Sequence, residues 1–251
     1  MKLKLENVHK TLNGRAVLAG LSVDVAAGRS LVIIGGSGVG KSVTLKCALG
    51  LMAPDQGQVL VDGLDVTALK DKDRAALMGK FGMLFQGAAL FDSLSVWENI
   101  AFRLLYADGV ARADARARAL AAMVQVRLPA DFADRAPNEL SGGMQKRAGL
   151  ARAIIARPDI LFFDEPTTGL DPITADAIND LIVEMVKDLG CAAVSITHDM
   201  ASARKIADEI AMLYAGKIIW RGPAASIDQS GNPYVDQFIH GRAEGPVQAT
   251  I

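Results

Sequence analysis

Apolar and polar residues alternate over the first thirty residues of the chain. The apolar members of this pattern are Leu3, Leu5, Val8, Leu21, Val23 and Val25. A period of two predicts β-strands with one buried face. The Asn13-Gly14 pair between the two runs favours a tight hairpin turn, so we expect a small antiparallel β layer at this end of the chain.

Short continuous apolar runs farther along predict buried strands, and helical patterns lie between them. The runs are Ser30 to Ile34, Ile160 to Phe163 and Ala192 to Ile196. Continuous apolar strands are typical of a parallel sheet that is covered on both faces. From about residue 87 to residue 150 the pattern is helical, which indicates a helical subdomain inserted into an α/β core. We predict one domain over residues 1–240 and a tail over residues 241–251.

Composition narrows the class of protein. The chain has 251 residues, of which 51% are hydrophobic and 22% charged, so it can bury a full core. A formal net charge of -1 gives no electrostatic reason to expect nucleic acid as a partner. Cys47 and Cys191 fit no metal-binding spacing and are expected to be buried thiols in a reducing compartment.

Hydropathy gives no sign of a segment that enters a membrane. Polar residues follow soon after Met1, which predicts that there is no signal peptide. No apolar run approaches the roughly 20 residues that a membrane-spanning helix needs. We therefore expect any association with a membrane to depend on a partner protein.

A glycine-rich segment lies between the Ser30 to Ile34 run and a helical pattern. Its sequence, Gly35-Gly36-Ser37-Gly38-Val39-Gly40-Lys41-Ser42, fits the phosphate-binding pattern G-x-x-x-x-G-K-[ST]. Backbone N–H groups and the start of the following helix would hold a triphosphate. Lys41 would contact the β- and γ-phosphates, and the Ser42 hydroxyl would ligate Mg²⁺. The predicted ATP-binding set also includes Val43, and the alternative is a glycine-rich turn with an incidental lysine.

Two carboxylates end the apolar run at Ile160. Asp164 would reach Mg²⁺ through water, and Glu165 would polarise the attacking water as a general base. The alternative is that the pair caps the next helix, where acidic residues are favoured in any case. Because the phosphate loop lies upstream, we favour the catalytic interpretation.

Four further segments resemble motifs of the ABC ATPase family and occur in the order typical of it. They are Gln86 as the Q-loop glutamine, Leu140-Ser141-Gly142-Gly143-Met144-Gln145 as the signature sequence, Gly169-Leu170-Asp171 as the D-loop, and His198 as the switch histidine. The resemblance covers roughly residues 1 to 235. It implies an α/β fold of the ABC ATPase type, with a P-loop NTPase (RecA-like) core, the antiparallel β layer and the inserted helical subdomain.

The same resemblance implies ATP hydrolysis with ATP and Mg²⁺ as cofactors. The implied catalytic residues are Glu165, His198, Lys41 and Gln86. The implied ligands of Mg²⁺ are Ser42, Gln86 and Asp164. There is no Asn-Lys-x-Asp segment of the kind that reads guanine, which disfavours a GTPase.

The signature segment also has a physical interpretation. Ser141, Gly142 and Gly143 present small side chains and N–H groups at the start of a helix, which makes a second anion site. One chain cannot easily bring both anion sites to one nucleotide, whereas a two-fold dimer can. The family resemblance implies a head-to-tail homodimer that holds two ATP molecules, with Ser141 to Gln145 facing the partner's nucleotide and Asp171 in the D-loop.

Finer resemblances concern the transported substrate. Phe85 to Phe91, Leu140 to Met144, Asp171 to Thr174 and the tail Gly245-Pro246-Val247 resemble the ATPases of Mla-type lipid-asymmetry transporters. This likeness implies phospholipid transport across a Gram-negative envelope, with the chain on the cytoplasmic face of the inner membrane. The implied partners are an integral permease, an Mce-type periplasmic lipid-binding protein and a STAS-domain protein.

Two other classes share the catalytic motifs. An importer ATPase for amino acids or another polar solute stays an alternative, because only the loop and tail resemblances separate it from a lipid transporter. A soluble ABC protein that acts on DNA or ribosomes is disfavoured, since the chain has no basic excess and no paired ATPase domains. No nucleic acid partner is expected.

Two surface expectations remain. The stretch Val8 to Gly14 lacks an aromatic residue for stacking adenine, so Leu12 or Val17 is expected to offer apolar contact, and ATP affinity to be modest. Apolar residues after Gln86 are expected either to line a groove for the permease or to form the core of the helical subdomain. They are Leu90, Phe91, Leu94, Val96, Trp97 and Ile100.

Overall fold

The computed structural model describes residues 1–67, 69 and 71–247, so the last four residues of the predicted tail lie outside the described part. The strands are β1 (Leu3–Leu12), β2 (Arg15–Val25), β3 (Ser30–Ile34), β4 (Gln56–Val61), β5 (Leu64–Asp65), β6 (Phe81–Leu84), β7 (Ile160–Asp164), β8 (Ala192–Thr197), β9 (Glu209–Tyr214) and β10 (Lys217–Pro223).

The α-helices lie mostly between these strands. They are α1 (Lys41–Ala48), α2 (Asp71–Met78), α3 (Val96–Ile100), α4 (Phe102–Tyr106), α5 (Arg112–Gln125), α6 (Gly142–Ile154), α7 (Pro172–Leu189), α8 (Met200–Ile206) and α9 (Pro233–Ile239). Short 3₁₀ helices occupy Ala130–Phe132, Pro137–Glu139 and Ala224–Gln229.

The antiparallel layer predicted near the start of the chain is confirmed. Its strand order is β2-β1-β4-β5, and the first two strands pair from Leu3↔Val25 to Leu12↔Arg15. Asn13 and Gly14 form the turn with positive φ angles of 50° and 75°, which is the backbone that a type I′ hairpin requires.

The second sheet is mostly parallel, also as predicted. Its strand order is β10-β9-β3-β8-β7-β6, and only the pairing of β10 with β9 is antiparallel. Strands β3, β8 and β7 are therefore neighbours whose carboxyl ends meet at one edge of the sheet. Ligands bind at such edges in α/β proteins.

The parallel sheet is covered on both faces because successive side chains of a strand point in opposite directions. In β3, Leu31 and Ile33 pack into a core shared with the antiparallel layer and α1. Val32 and Ile34 pack into a second core with residues of α6, α7 and α8. The continuous apolar run in this strand thus reflects burial on two sides.

Helices α3 to α6 connect β6 to β7, and they correct one expectation about the surface. Val96, Trp97 and Ile100 are 0%, 4% and 0% exposed and lie in the core of this region, so the groove interpretation is wrong for them. The guanidinium groups of Arg112 and Arg116 lie 4.8 and 5.5 Å from the Trp97 ring centroid.

Phe91 differs from these buried neighbours. Its side chain is 46% exposed, and its ring stacks on Phe102 with centroids 4.6 Å apart. Leu90 and Leu94 are partly buried. Phe91 is therefore accessible for contact with another protein, whereas Val96, Trp97 and Ile100 of α3 pack in the core of the helical region.

The expectation that both cysteines are buried thiols is confirmed. Cys47 and Cys191 are both free and buried, and burial raises the pKa of each thiol to about 11.

In the part of the chain that the structure describes, no helix combines the length and apolar character needed to cross a membrane.

Candidate functional site

A cleft of about 740 Å³ opens at the edge where β3, β7 and β8 end. It is lined by Leu12, Val17, Gly36, Ser37, Gly38, Gly40, Lys41, Ser42, Val43, Gln86, Asp164, Glu165, His198 and Phe238. The fold thus brings most of the predicted ATP-binding, metal-binding and catalytic residues to one place. Gly35 and Val39 belong to the same loop as the lining residues but do not line the cleft themselves.

The glycine-rich loop passes very close to the antiparallel layer. A Cβ atom on Gly40 would lie 3.0 Å from Leu18 Cδ2 and 3.1 Å from the Val17 carbonyl oxygen, and the φ of Gly40 is 110°. Both the crowding and the left-handed backbone favour glycine there. Lys41 then begins α1, so the free N–H groups of a helix start lie beside the cleft.

Lys41 provides the positive charge of the loop. Its side chain is buried, and Nζ donates hydrogen bonds to the carbonyl oxygens of Gly35 and Gly36 at 2.6 and 2.8 Å. Burial lowers the pKa of Lys41, while the charges of Glu165 and Asp164 oppose that shift. An ammonium group held in this way can meet phosphate oxygens directly.

Asp164 and Glu165 end β7 and face the same cleft. Burial raises the pKa of Asp164, and the neighbouring charge of Glu165 adds to the rise. Glu165 has a positive φ of 47°, which is uncommon outside glycine. The interpretation of this pair as a helix cap is wrong, because α7 begins at Pro172 with Asp171 as its N-cap.

The Glu165 carboxylate is held by three side chains. One oxygen, Oε1, lies 2.9 Å from His198 Nδ1. The other, Oε2, accepts hydrogen bonds from Thr168 Oγ1 at 3.1 Å and from Thr197 Oγ1 at 3.2 Å. The two threonines were not among the predicted residues, although each lies close to a predicted motif in sequence. They fix a carboxylate that can take a proton from water in the cleft.

The three candidate Mg²⁺ ligands lie on the cleft wall together. Ser42, Gln86 and Asp164 all line it, and their side chains offer the oxygen donors that Mg²⁺ prefers. Among the described residues no group of three or more His, Cys, Asp or Glu side chains forms a metal cluster. An ion that completes its shell with phosphate oxygens and water needs no such cluster, so the residues fit Mg²⁺.

The signature residues and Asp171 lie apart from the cleft lining, although all are within the described ranges. Ser141 is the N-cap of α6, where its Oγ accepts a hydrogen bond from Met144 N at 3.4 Å. A Cβ atom on Gly143 would lie 2.6 Å from Thr174 Cγ2 in α7. The starts of α6 and α7, with the signature and the D-loop, are therefore packed against each other.

Two cations of α6 contact the loop that contains Gln86. Lys146 is only 4% exposed, and its Nζ donates hydrogen bonds to the Gln86 carbonyl oxygen and, at 3.2 Å, to that of Glu165. Arg152 donates to the carbonyl oxygens of Ala88 at 2.5 Å and Ala89 at 2.6 Å. The helix that begins with the signature thus holds the backbone on which Gln86 and Glu165 lie.

Sequence reasoning missed Lys146, although a signal exists. Gly149, Leu150 and Ala153 are buried on the same face of α6, three, four and seven positions after the lysine. A charged residue on an apolar helical face is rarely buried without partners. Here the partners are backbone carbonyl groups of the cleft, and burial lowers the pKa of Lys146.

Phe238 was also missed. It belongs to α9, near the end of the chain, and it lines the same cleft as Leu12 and Val17. No motif accompanies it, so nothing local in the sequence points to this position. The cleft lining therefore includes an aromatic side chain besides the expected apolar residues Leu12 and Val17.

Several known proteins are similar to this chain. Residues 18–168 match the family described as ABC transporter. The Escherichia coli K12 intermembrane phospholipid transport system ATP-binding protein MlaF is 36% identical over 247 residues, which cover 97% of this chain and 90% of MlaF. The Mycobacterium leprae probable ribonucleotide transport ATP-binding protein mkl is 34% identical over 245 residues, or 98% of this chain and 70% of mkl.

Solved structures share the fold. A dimeric ATP-binding cassette, MJ0796, in a post-hydrolysis state bound to ADP and Pi has a TM-score of 0.81 and 30% identity, covering 88% of this chain and 98% of that one. The cbiO1 protein of Clostridium perfringens, part of the complex cbiONQ, has a TM-score of 0.83 and 27% identity, covering 96% of this chain and 95% of that one.

Proposed function

The chain belongs to the ABC transporter family, and we propose that it hydrolyses ATP to energise phospholipid transport through a separate membrane permease. The observation that carries the ATPase part is the cleft in which Lys41, Asp164, Glu165 and His198 converge. A cation for phosphate, a carboxylate for water and oxygen donors for a metal lie within one volume. This set of groups suits the cleavage of a phosphoanhydride.

Each residue has a defined part in this reaction. The loop from Gly35 to Ser42, with Val43 behind it, binds the triphosphate, and Lys41 balances its charge. Glu165 accepts a proton from the attacking water, and His198 orients that water and the γ-phosphate. Ser42, Gln86 and Asp164 would hold Mg²⁺, which neutralises charge on the phosphates.

The active unit in this proposal is a dimer of the chain. Ser141 to Gln145 and Asp171 lie outside the cleft of their own chain, so their anion-binding helix start is free to face the nucleotide of a second copy. The dimeric arrangement of MJ0796 supports this assembly. We place the helical subdomain at about residues 87–150 within an ATPase domain of residues 1–240, followed by the tail.

The proposal that the transported substrate is a phospholipid rests on the similarity of the chain to MlaF. The identity to MlaF is 36%, and the identity to mkl is 34%. We place the chain at the cytoplasmic face of the inner membrane, with a permease, an Mce-type protein and a STAS-domain protein as partners.

The test is purification of the chain from membranes with its bound proteins and lipids. Mass spectrometry should identify a permease, an Mce-type protein and phospholipid, and the reconstituted complex should move phospholipid between vesicles when ATP is added. The complex with Glu165→Gln is the control, and it should carry lipid without ATP-driven transfer. Co-purification of a polar-solute permease, with no lipid transfer, would refute the phospholipid proposal.

A further inference from the structure

Three residues of the cleft lining have no part in the phosphate chemistry. They are Leu12 from the end of β1, Val17 from β2 and Phe238 of α9, and all three line the cleft together with the phosphate-binding loop. The side chains of Leu12, Val17 and Phe238 are apolar, whereas Lys41, Asp164 and Glu165, which line the same cleft, carry ionisable groups. A nucleotide has the same division, because its phosphates are charged and its base is a flat, weakly polar ring.

Helix α9 is fixed to the body of the protein at its start. Asn232 is its N-cap, and Asn232 Nδ2 donates a hydrogen bond to the Ile219 carbonyl oxygen of β10 at 3.1 Å. Tyr234 packs on Tyr214 at the end of β9, with ring centroids 4.8 Å apart. Val235 is fully buried. The position of Phe238 is therefore set by contacts with the parallel sheet.

The end of α9 is fixed by the segment that follows it. Gln237 is 6% exposed, and its Nε2 donates to the carbonyl oxygens of Arg242 at 3.1 Å and Val247 at 2.9 Å. Val247 N donates to Gln237 Oε1 at 2.7 Å. The chain after α9 thus folds back on the residue next to Phe238 and holds the last turn of the helix in place.

We propose that Phe238 is the residue on which the base of the bound nucleotide packs, with Leu12 and Val17 completing the apolar slot. The inference rests on the proposed function, since it assigns the base subsite of the same ATP site. The chain has no Phe, Tyr or Trp between Val8 and Gly14, and among the described residues that line the cleft, Phe238 of α9 is the one such residue. A ring face reads no hydrogen-bond pattern, and the subsite accepts adenine and guanine alike.

The test compares ligands with and without a base. Wild type, Phe238→Ala and Phe238→Leu are titrated with the non-hydrolysable analogue adenosine 5′-(β,γ-imido)triphosphate, its guanosine counterpart and tripolyphosphate, all with Mg²⁺. Both variants should bind the two nucleotides about tenfold more weakly, the size expected for a lost base–aromatic stack. Tripolyphosphate has no base, so its affinity should not change.

Matched variants separate stacking from a general loss of structure. Phe132→Ala removes a partly buried phenylalanine that does not line the cleft, and it should bind every ligand as wild type does. Phe238→Trp should restore nucleotide affinity, and Leu12→Tyr should restore it in the Phe238→Ala background. The Leu variant keeps the apolar volume, so it stays informative if the Ala variant does not fold.

Two outcomes would overturn the assignment of Phe238. One is unchanged nucleotide affinity in both Phe238 variants, and the other is an equal loss for tripolyphosphate and nucleotide. Lys41→Ala is measured beside them and should lose affinity for all three ligands. If Lys41→Ala binds as wild type does, the ATP site itself is refuted, and that failure is distinct from a failure at Phe238.

Discussion

The cleft lining contains two groups of residues, which we call the phosphate end and the base end, and the two groups are built in different ways. At the phosphate end, Asp164 ends β7, His198 directly follows β8, and Lys41 follows the loop after β3. Lys41 and His198 also make short polar contacts with Gly35 and Glu165. At the base end, Leu12, Val17 and Phe238 come from a strand end, a second strand and the last helix. They contribute apolar surface without a shared polar network.

The difference reflects what each part of a nucleotide demands. A phosphate needs several N–H groups and a cation in fixed positions, and a continuous loop at a helix start supplies them together. A base needs a flat apolar surface, which any element at the correct distance can provide. The phosphate end is therefore formed largely by a contiguous sequence motif, whereas the base end depends on how distant elements pack.

The largest effect is expected from Glu165→Gln at the phosphate end. An amide cannot accept the proton of the attacking water, so kcat should fall by at least about 100-fold, while ATP still binds. Steady-state ATPase assays give kcat, and size-exclusion chromatography with ATP should reveal a trapped dimer. Glu184→Gln is the control, because Glu184 pairs with Arg127 on an exposed surface. Near-normal turnover in Glu165→Gln would remove the general base from this position.

Lys41→Ala should come next, and it should act on binding. Loss of a buried ammonium group that meets the phosphates should weaken ATP affinity by at least about tenfold. Equilibrium titration with the non-hydrolysable analogue measures this directly. Lys217→Ala, an exposed lysine at the start of β10, should bind as wild type does. Unchanged affinity in Lys41→Ala would mean that phosphate binding does not depend on the loop lysine.

Lys146→Met tests whether α6 supports the phosphate end from outside the cleft. Without the contacts to the Gln86 and Glu165 carbonyl oxygens, both residues should shift, and kcat should fall about tenfold. Affinity for ATP should change little, because Lys146 does not line the cleft. The exposed Lys187→Met on α7 is the control. A loss of affinity equal to the loss of kcat would indicate general damage instead of positioning.

The sequence predicted the features of the fold and site that depend on contiguous residues. The Asn13-Gly14 turn, the buried run of β3 and the loop from Gly35 to Ser42 were all found from contiguous residues, because backbone geometry there is set by nearby side chains. Periodicity also found the helical region, but it could not separate core from surface. Trp97 was a candidate for a groove and is buried under two arginines.

What sequence missed depends on contacts between distant segments. Lys146 contacts the carbonyl oxygens of Gln86 and Glu165 because α6 packs beside β6. Phe238 lines the cleft because the chain turns back into α9 after β10. No local sequence motif marks either the lysine or the phenylalanine as functional. Thr168 and Thr197 are intermediate cases, since they adjoin motifs but act through a side-chain contact that spacing does not encode.

The smallest effect is expected from Gln237→Ala, which acts on the base end through the segment after α9. The change removes hydrogen bonds to Arg242 and Val247 without touching the cleft lining. Helix α9 should fray, faster hydrogen exchange at Phe238 should report it, and nucleotide affinity should fall about two- to threefold, below the cost of one net hydrogen bond.

Tripolyphosphate binding in Gln237→Ala should equal that of wild type, since the loop from Gly35 to Ser42 is unaffected. Gln229→Ala, an exposed glutamine in the preceding 3₁₀ helix, should change neither measurement. If hydrogen exchange in α9 rises while nucleotide affinity stays constant, the segment after α9 stabilises the helix without serving the base end. If hydrogen exchange in α9 rises and nucleotide affinity falls together, residues 242–247 contribute to nucleotide binding by holding α9 in place.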